Sequence, residues 1–171
     1  LFMVTRNSKL TLARRKVANV WSIAYSRGRV YVLREAGSGS GMSCDQYTAS
    51  TFDVVKSPLI ELSTSPCYLD TYRKLMFAFG EKIYILSGPS YNVYVYSTDG
   101  SLLYQNSINT AYEIYACPDG SIVATNCSSC ITKYRLNTSG GGASVVWEYK
   151  GPANSVAVDS TGYIYTHHTK R

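Results

Sequence analysis

YEIYACPDGSIVATNCSSCITKYRLNTSGGGASVVWEY, residues 112–149, is the stretch whose reading decides the fold. It holds four short runs rich in Tyr, Ile, Val and Thr, at Tyr112–Ala116, Ser121–Thr125, Ile131–Leu136 and Ser144–Tyr149. These residue types suit a pleated, half-buried surface. Pro118-Asp119-Gly120 separates the first two runs, Cys127–Cys130 the next two, and Asn137–Gly142 the last two. Strands joined by such short turn segments form an antiparallel meander.

The unit recurs. Ala18-Asn19 precedes Val20–Tyr25, a turn at Arg27-Gly28, and Val30–Leu33. Ala153-Asn154 precedes Ser155–Asp159, a turn at Thr161-Gly162, and Tyr163–Thr166. With the turn at Asp119-Gly120, and a further turn placed at Arg73-Lys74 between Cys67–Tyr72 and Leu75–Phe79, four units follow each other at 42–46 residues. That is the length of a four-stranded propeller blade. The expectation is an all-β chain, a single domain over residues 1–171, forming a β-propeller of about four antiparallel blades. The last unit stops two strands short, and Leu1–Thr5 and Leu10–Arg15 supply two strands to complete it. Three runs at Lys82–Leu86, Asn92–Tyr96 and Leu102–Ser107 crowd a region where this scheme has room for two. A fragment cut from a larger ring is the alternative.

Composition agrees. Tyr occurs 16 times and Phe 4 times, 16% of residues are charged, and helical periodicity is absent. No apolar run approaches the roughly 20 residues of a membrane-spanning helix. The net charge of +6 is uneven: residues 1–34 carry eight basic side chains and no acid. Arg14-Arg15-Lys16 is the candidate nucleic-acid face, since clustered cations attract phosphate; a solvated strand face is the plainer reading.

Val156–Thr166, VAVDSTGYIYT, resembles the core of an NHL repeat, and Ile114–Asn126 and Trp21–Leu33 are similar to weaker copies. The resemblance implies a binding platform for proteins or RNA, or, as in a minority of related propellers, a hydrolase acting in the central channel.

Chemistry is sparse. His167 and His168 are the only histidines, and no GxSxG elbow is present. Asp99, Asp119 and Asp159 sit at turns, where Asx hydrogen bonds account for them. Cys127 and Cys130 have the spacing of a strand-end disulfide or a metal half-site, but nothing supplies a second ligand pair, so no metal and no cofactor are expected. Asn19 and Asn154 precede two innermost strands and are candidate channel ligands; capping a bend is the alternative. Asn126 and Asn137 begin N-x-S/T sequons, glycosylation sites if the chain is secreted. The cysteines and the Tyr/Ser/Thr/Gly richness lean toward an extracellular setting, with the cytoplasm as the alternative. The preferred function is a non-enzymatic module that binds a protein partner or itself through one rim, with Arg34, Tyr91 and His167 as the contact residues.

Overall fold

A computed structural model describes residues 2–4, 12–14, 17, 19–36, 41–64, 75–88, 90–109, 111–125, 130–151 and 155–167. Every regular element among them is a strand. Two short N-terminal strands, β1 (Phe2–Val4) and β2 (Leu12–Arg14), pair with each other. Sheet 1 then runs β3 (Val20–Ser26), β4 (Arg29–Glu35), β5 (Met42–Thr48) and β6 (Val54–Leu62), each strand pairing with the next. Sheet 2 repeats the meander with β7 (Met76–Phe79), β8 (Lys82–Ser87), β9 (Asn92–Ser97) and β10 (Leu102–Ser107). Sheet 3 holds β11 (Glu113–Ala116), β12 (Ile122–Thr125), β13 (Cys130–Arg135) and, after the two-residue β14 (Gly141–Gly142) that joins sheet 2 instead, β15 (Ser144–Lys150), which pairs with β13. Sheet 4 has two strands, β16 (Ser155–Val158) and β17 (Ile164–His167).

The first strands of successive sheets adjoin in order: β3 lies against β7, β7 against β11, and β11 against β16. Each sheet therefore radiates from a shared inner row and packs face to face on the next. The main core lies between sheets 1, 2 and 3, where Tyr31, Leu33, Met42, Met76, Ile83, Ile85, Ile114 and Ile122 are sealed from solvent. A second core between sheets 3 and 4 joins Tyr115, Val123, Ile131 and Val156 to Val158 and Ile164. The alternation seen in β3, where Ser22, Ala24 and Ser26 are buried and Ile23 and Tyr25 exposed, is the period-two signature of a strand with one face packed.

Turn chemistry fixes the hairpins. Arg27 and Gly28 both take positive φ (48° and 73°), as a two-residue turn requires if its twist is to match the strands. Three other turns share one form. Residues 97–101, 117–121 and 159–163 each close with two main-chain hydrogen bonds, and each holds a left-handed glycine at its fourth position: Gly100, Gly120 or Gly162. Asp99, Asp119 and Asp159 brace these turns by accepting from the main-chain N–H of Ser101, Ser121 and Thr161.

One sequence expectation is corrected here. The hairpin opening sheet 2 turns at Gly80-Glu81, and Met76–Phe79 is its first strand rather than its second. Gly80 at φ 60° supplies the backbone that Arg73-Lys74 has no glycine to provide. With this register, β8, β9 and β10 fit without crowding, and Cys67–Tyr72 lies outside the described residues. Glycine spacing is accordingly uneven, 52, 40 and 42 residues from Gly28 through Gly80 and Gly120 to Gly162.

Sheets are also tied by polar contacts. Ser22 Oγ accepts from the Met76 N–H at 3.2 Å, and Ser26 Oγ donates to the Gly80 carbonyl at 2.9 Å. Between sheets 2 and 3, Asn106, 0% exposed, donates through Nδ2 to the Asn137 carbonyl at 2.8 Å and accepts at Oδ1 from the Asn137 N–H at 2.6 Å. Beside it, Gly141–Gly142 adds to the outer edge of β10 as a parallel strand, opposite Asn106 and Ser107. The segment read from sequence as a plain loop is thus a clasp between sheets.

The glycine turns give a test. A methyl group on Gly120 meets nothing within 4 Å, whereas on Gly100 it would sit 2.4 Å from the Leu59 carbonyl oxygen of sheet 1. Both substitutions carry the left-handed penalty of about 1–2 kcal/mol. In urea unfolding, Gly100→Ala should therefore destabilise the protein by at least about 1 kcal/mol more than Gly120→Ala. Equal losses would show that sheets 1 and 2 do not approach this closely.

Candidate functional site

Arg34, Tyr91 and His167 stand on one rim in three different sheets. Arg34 is near the end of β4, Tyr91 follows β8, and His167 ends β17. All three belong to the rim that carries the connections between second and third strands, and they remain in separate sheets. Their environments differ. His167 is exposed. Tyr91 is half-buried at φ 48°, packs on the main core, and accepts the Ile108 N–H at its carbonyl. Arg34 has structural work as well. Its Nε donates to Asp45 Oδ2 at 2.6 Å and its Nη1 to the Glu35 carbonyl at 3.1 Å. Asp45 is buried and also accepts from Ser57 Oγ at 2.7 Å. The hydrogen bond to Asp45 raises the Arg34 pKa above its ordinary value.

On the same rim Asn19 takes positive φ (51°), donates through Nδ2 to Glu35 Oε2 at 2.7 Å, and accepts the Glu35 N–H at its carbonyl. Its side chain is spent closing the open end of the β3–β4 hairpin. Asn154 lies outside the described residues, as do Arg15, Lys16, Asn126 and Cys127; Arg14 is placed by its backbone in β2. Cys130 is half-buried at the start of β13. Asn137 is exposed, with its Oδ1 accepting the Ser139 N–H. Two other cysteines are core residues: burial pushes the Cys44 thiol up to about 12 and raises that of Cys117.

The opposite rim, formed by the turns between first and second and between third and fourth strands, holds a cleft that no sequence motif marked. It has a volume of about 310 Å3 and lies between sheets 2 and 3. Lys82 and Tyr104 come from sheet 2, and Asp119, Ser121, Lys133, Arg135, Leu136 and Val146 from sheet 3. Lys82 Nζ reaches the Tyr104 hydroxyl at 3.5 Å and lies 5.6 Å from its ring centre. Lys133 pairs with Asp119 at 2.8 Å. Burial alone would raise the Asp119 carboxyl, but hydrogen bonds from Lys133 and Ser121 hold it down, at about 2. Arg135 is exposed and forms no ion pair among the described residues.

Among solved structures the chain is similar to the WD40 β-propeller domain of Doa1, at 16% identity and a TM-score of 0.56 over 94% of this chain. The fold is a β-propeller. Sqt1 from Chaetomium thermophilum is also similar, at 14% identity and a TM-score of 0.54 over 84% of the chain. The chain spans about half of the Doa1 domain (51%) and about two fifths of Sqt1 (39%). No protein-family model and no curated protein matches the sequence. The likeness is to a WD40 propeller, so the expectation of a propeller stands, and the NHL type draws no support from it.

The Arg34–Asp45 pair yields a prediction. Removing the guanidinium leaves a carboxylate whose side chain is 3% exposed without its cation, a change that costs about 3 kcal/mol in buried pairs. Arg34→Met should lower unfolding stability by about that much, measured by chemical denaturation. A loss below about 0.5 kcal/mol would show the pair to be dispensable, as exposed pairs are.

Proposed function

We propose that this propeller is a non-enzymatic interaction module that binds a protein partner through the rim bearing Arg34, Tyr91 and His167. The observation that carries the reading is the fold: sheets radiating from a common inner row, similar to the WD40 domain of Doa1. Loops held on a rigid scaffold are where recognition residues accumulate. On this rim, cationic, aromatic and imidazole side chains stand in sheets 1, 2 and 4 respectively. Aromatic and arginine anchors carry most of the energy in protein interfaces. Arg34 also serves the interior, so Tyr91 and His167 are the informative positions.

A photo-cross-linking residue placed at Tyr91 or His167 in the native host should yield a discrete adduct with a second polypeptide. The same residue at Thr161, in a turn of the opposite rim, should yield none. Absence of adducts at both positions, or identical adducts from Thr161, would overturn the reading.

Closure of the ring belongs to the same proposal. Sheet 4 has two strands and the N-terminal hairpin β1–β2 has two; joined, they would make one four-stranded sheet. Such pairing would cover the free edge of β17, beside which Tyr163 and Tyr165 are 70% and 58% exposed; open edges invite intermolecular pairing. Cysteines placed singly along β1, each combined with one at Thr166, should include a pair that oxidises within one chain. If none does, the four-bladed ring gives way to an arc of a larger one.

A further inference from the structure

We propose that the cleft between sheets 2 and 3 is a second binding site, for an extended peptide segment bearing acidic side chains. Its cationic end lies on the rim opposite Arg34 and His167, its far end reaches Asn92 beside Tyr91, and the site does not depend on the reading given for those residues.

Three cations, Lys82, Lys133 and Arg135, line the cleft against one carboxylate, Asp119. They come from two sheets, so sheet packing brings them together, not a local run of basic residues. Asp119 occupies Lys133 and leaves the other two cations without a carboxylate. Arg135 is exposed and free of ion pairs among the described residues, and Lys82 is oriented toward the cleft by the Tyr104 hydroxyl. A guanidinium offers two parallel N–H donors to a carboxylate. The remaining walls suit a peptide: Leu136 and Val146 are apolar, and Ser121 and Thr138 carry hydroxyls.

The cleft also continues. A second hollow of about 450 Å3 shares Tyr104 and Thr138 with it and runs along β10 past Leu103, Gln105 and Ser107 to the Ser139–Gly141 loop. The result is a trough, cationic at one end and lined by hydroxyl and amide groups at the other. A peptide strand with carboxylates at its leading end fits that gradient.

Nucleic acid fits less well. A phosphodiester backbone calls for a longer cationic track with several stacking rings. Here the net charge is +2, from three cations and one anion, one ring is available, and the Asp119 carboxylate stays ionised.

The test uses a fluorescein-labelled hexaglutamate peptide read by fluorescence anisotropy, with hexaglutamine as the control. Hexaglutamate should bind, hexaglutamine should not, and affinity should fall with added salt. Lys82→Glu combined with Arg135→Glu should weaken binding about tenfold or more, with circular dichroism confirming the fold. Asp119→Asn, which keeps a turn-bracing acceptor but removes the competing charge, should strengthen binding about threefold. Because that variant moves affinity upward, partial unfolding cannot mimic it. Equal binding of the two peptides, or unchanged affinity in the charge-reversed variant, would overturn the site. So would a single-stranded oligonucleotide that binds more tightly than hexaglutamate through the same two cations.

Discussion

Face-to-face packing of one sheet on the next is the contact on which the rest of the molecule depends. A first strand of four residues, such as Met76–Phe79 or Glu113–Ala116, cannot bury enough surface to stand alone. An isolated hairpin is marginal in water, and sheets need a partner for their apolar face. Here each sheet lends that face to the next, so Ile83 and Ile85 of sheet 2 share one core with Leu33 of sheet 1 and Ile114 of sheet 3. Main-chain groups at the crossings are satisfied by short polar side chains, Ser22, Ser26 and Asn106, whose burial is tolerable because each has a partner.

The sites follow from that arrangement. Both rims present charge and aromatic surface beside the few residues, such as Leu136 and Tyr91, that they lend to the core. Their chemistry differs. One rim carries single residues of several sheets, with Arg34 and Asn19 partly committed to internal hydrogen bonds. The other builds a cleft at a seam, and the seam supplies what no single strand contains: cations from two sheets around a shared aromatic ring.

Local structure was written plainly in the sequence because turn chemistry is local. Asp119-Gly120 and Thr161-Gly162 announce their geometry within five residues, and the strands beside them fall within a residue or two of where the apolar runs place them. Sheet 2 was harder. Equal spacing of units pointed to Arg73-Lys74, while the deciding residue, Gly80, sat where the period did not call for a turn. Uneven loop lengths hid it. Asn106 was illegible for a different reason: one amide in a polar run looks solvated until the neighbouring sheet is seen to cover it. The cleft was invisible in the same way. Lys82, Lys133 and Arg135 are separated by up to 53 positions, so no local run of basic residues marks them.

The outer strands close their edges by different means. Pro58, with no N–H to offer, and a broken register guard β6, while β10 is sheathed by two glycines reaching over from sheet 3. That glycine graft makes one connector answer to two sheets at once. Lengthening an ordinary hairpin loop is usually harmless; lengthening this one would strip the cover from a strand more than 30 residues upstream. The length of this connector is therefore constrained by a neighbour it does not belong to.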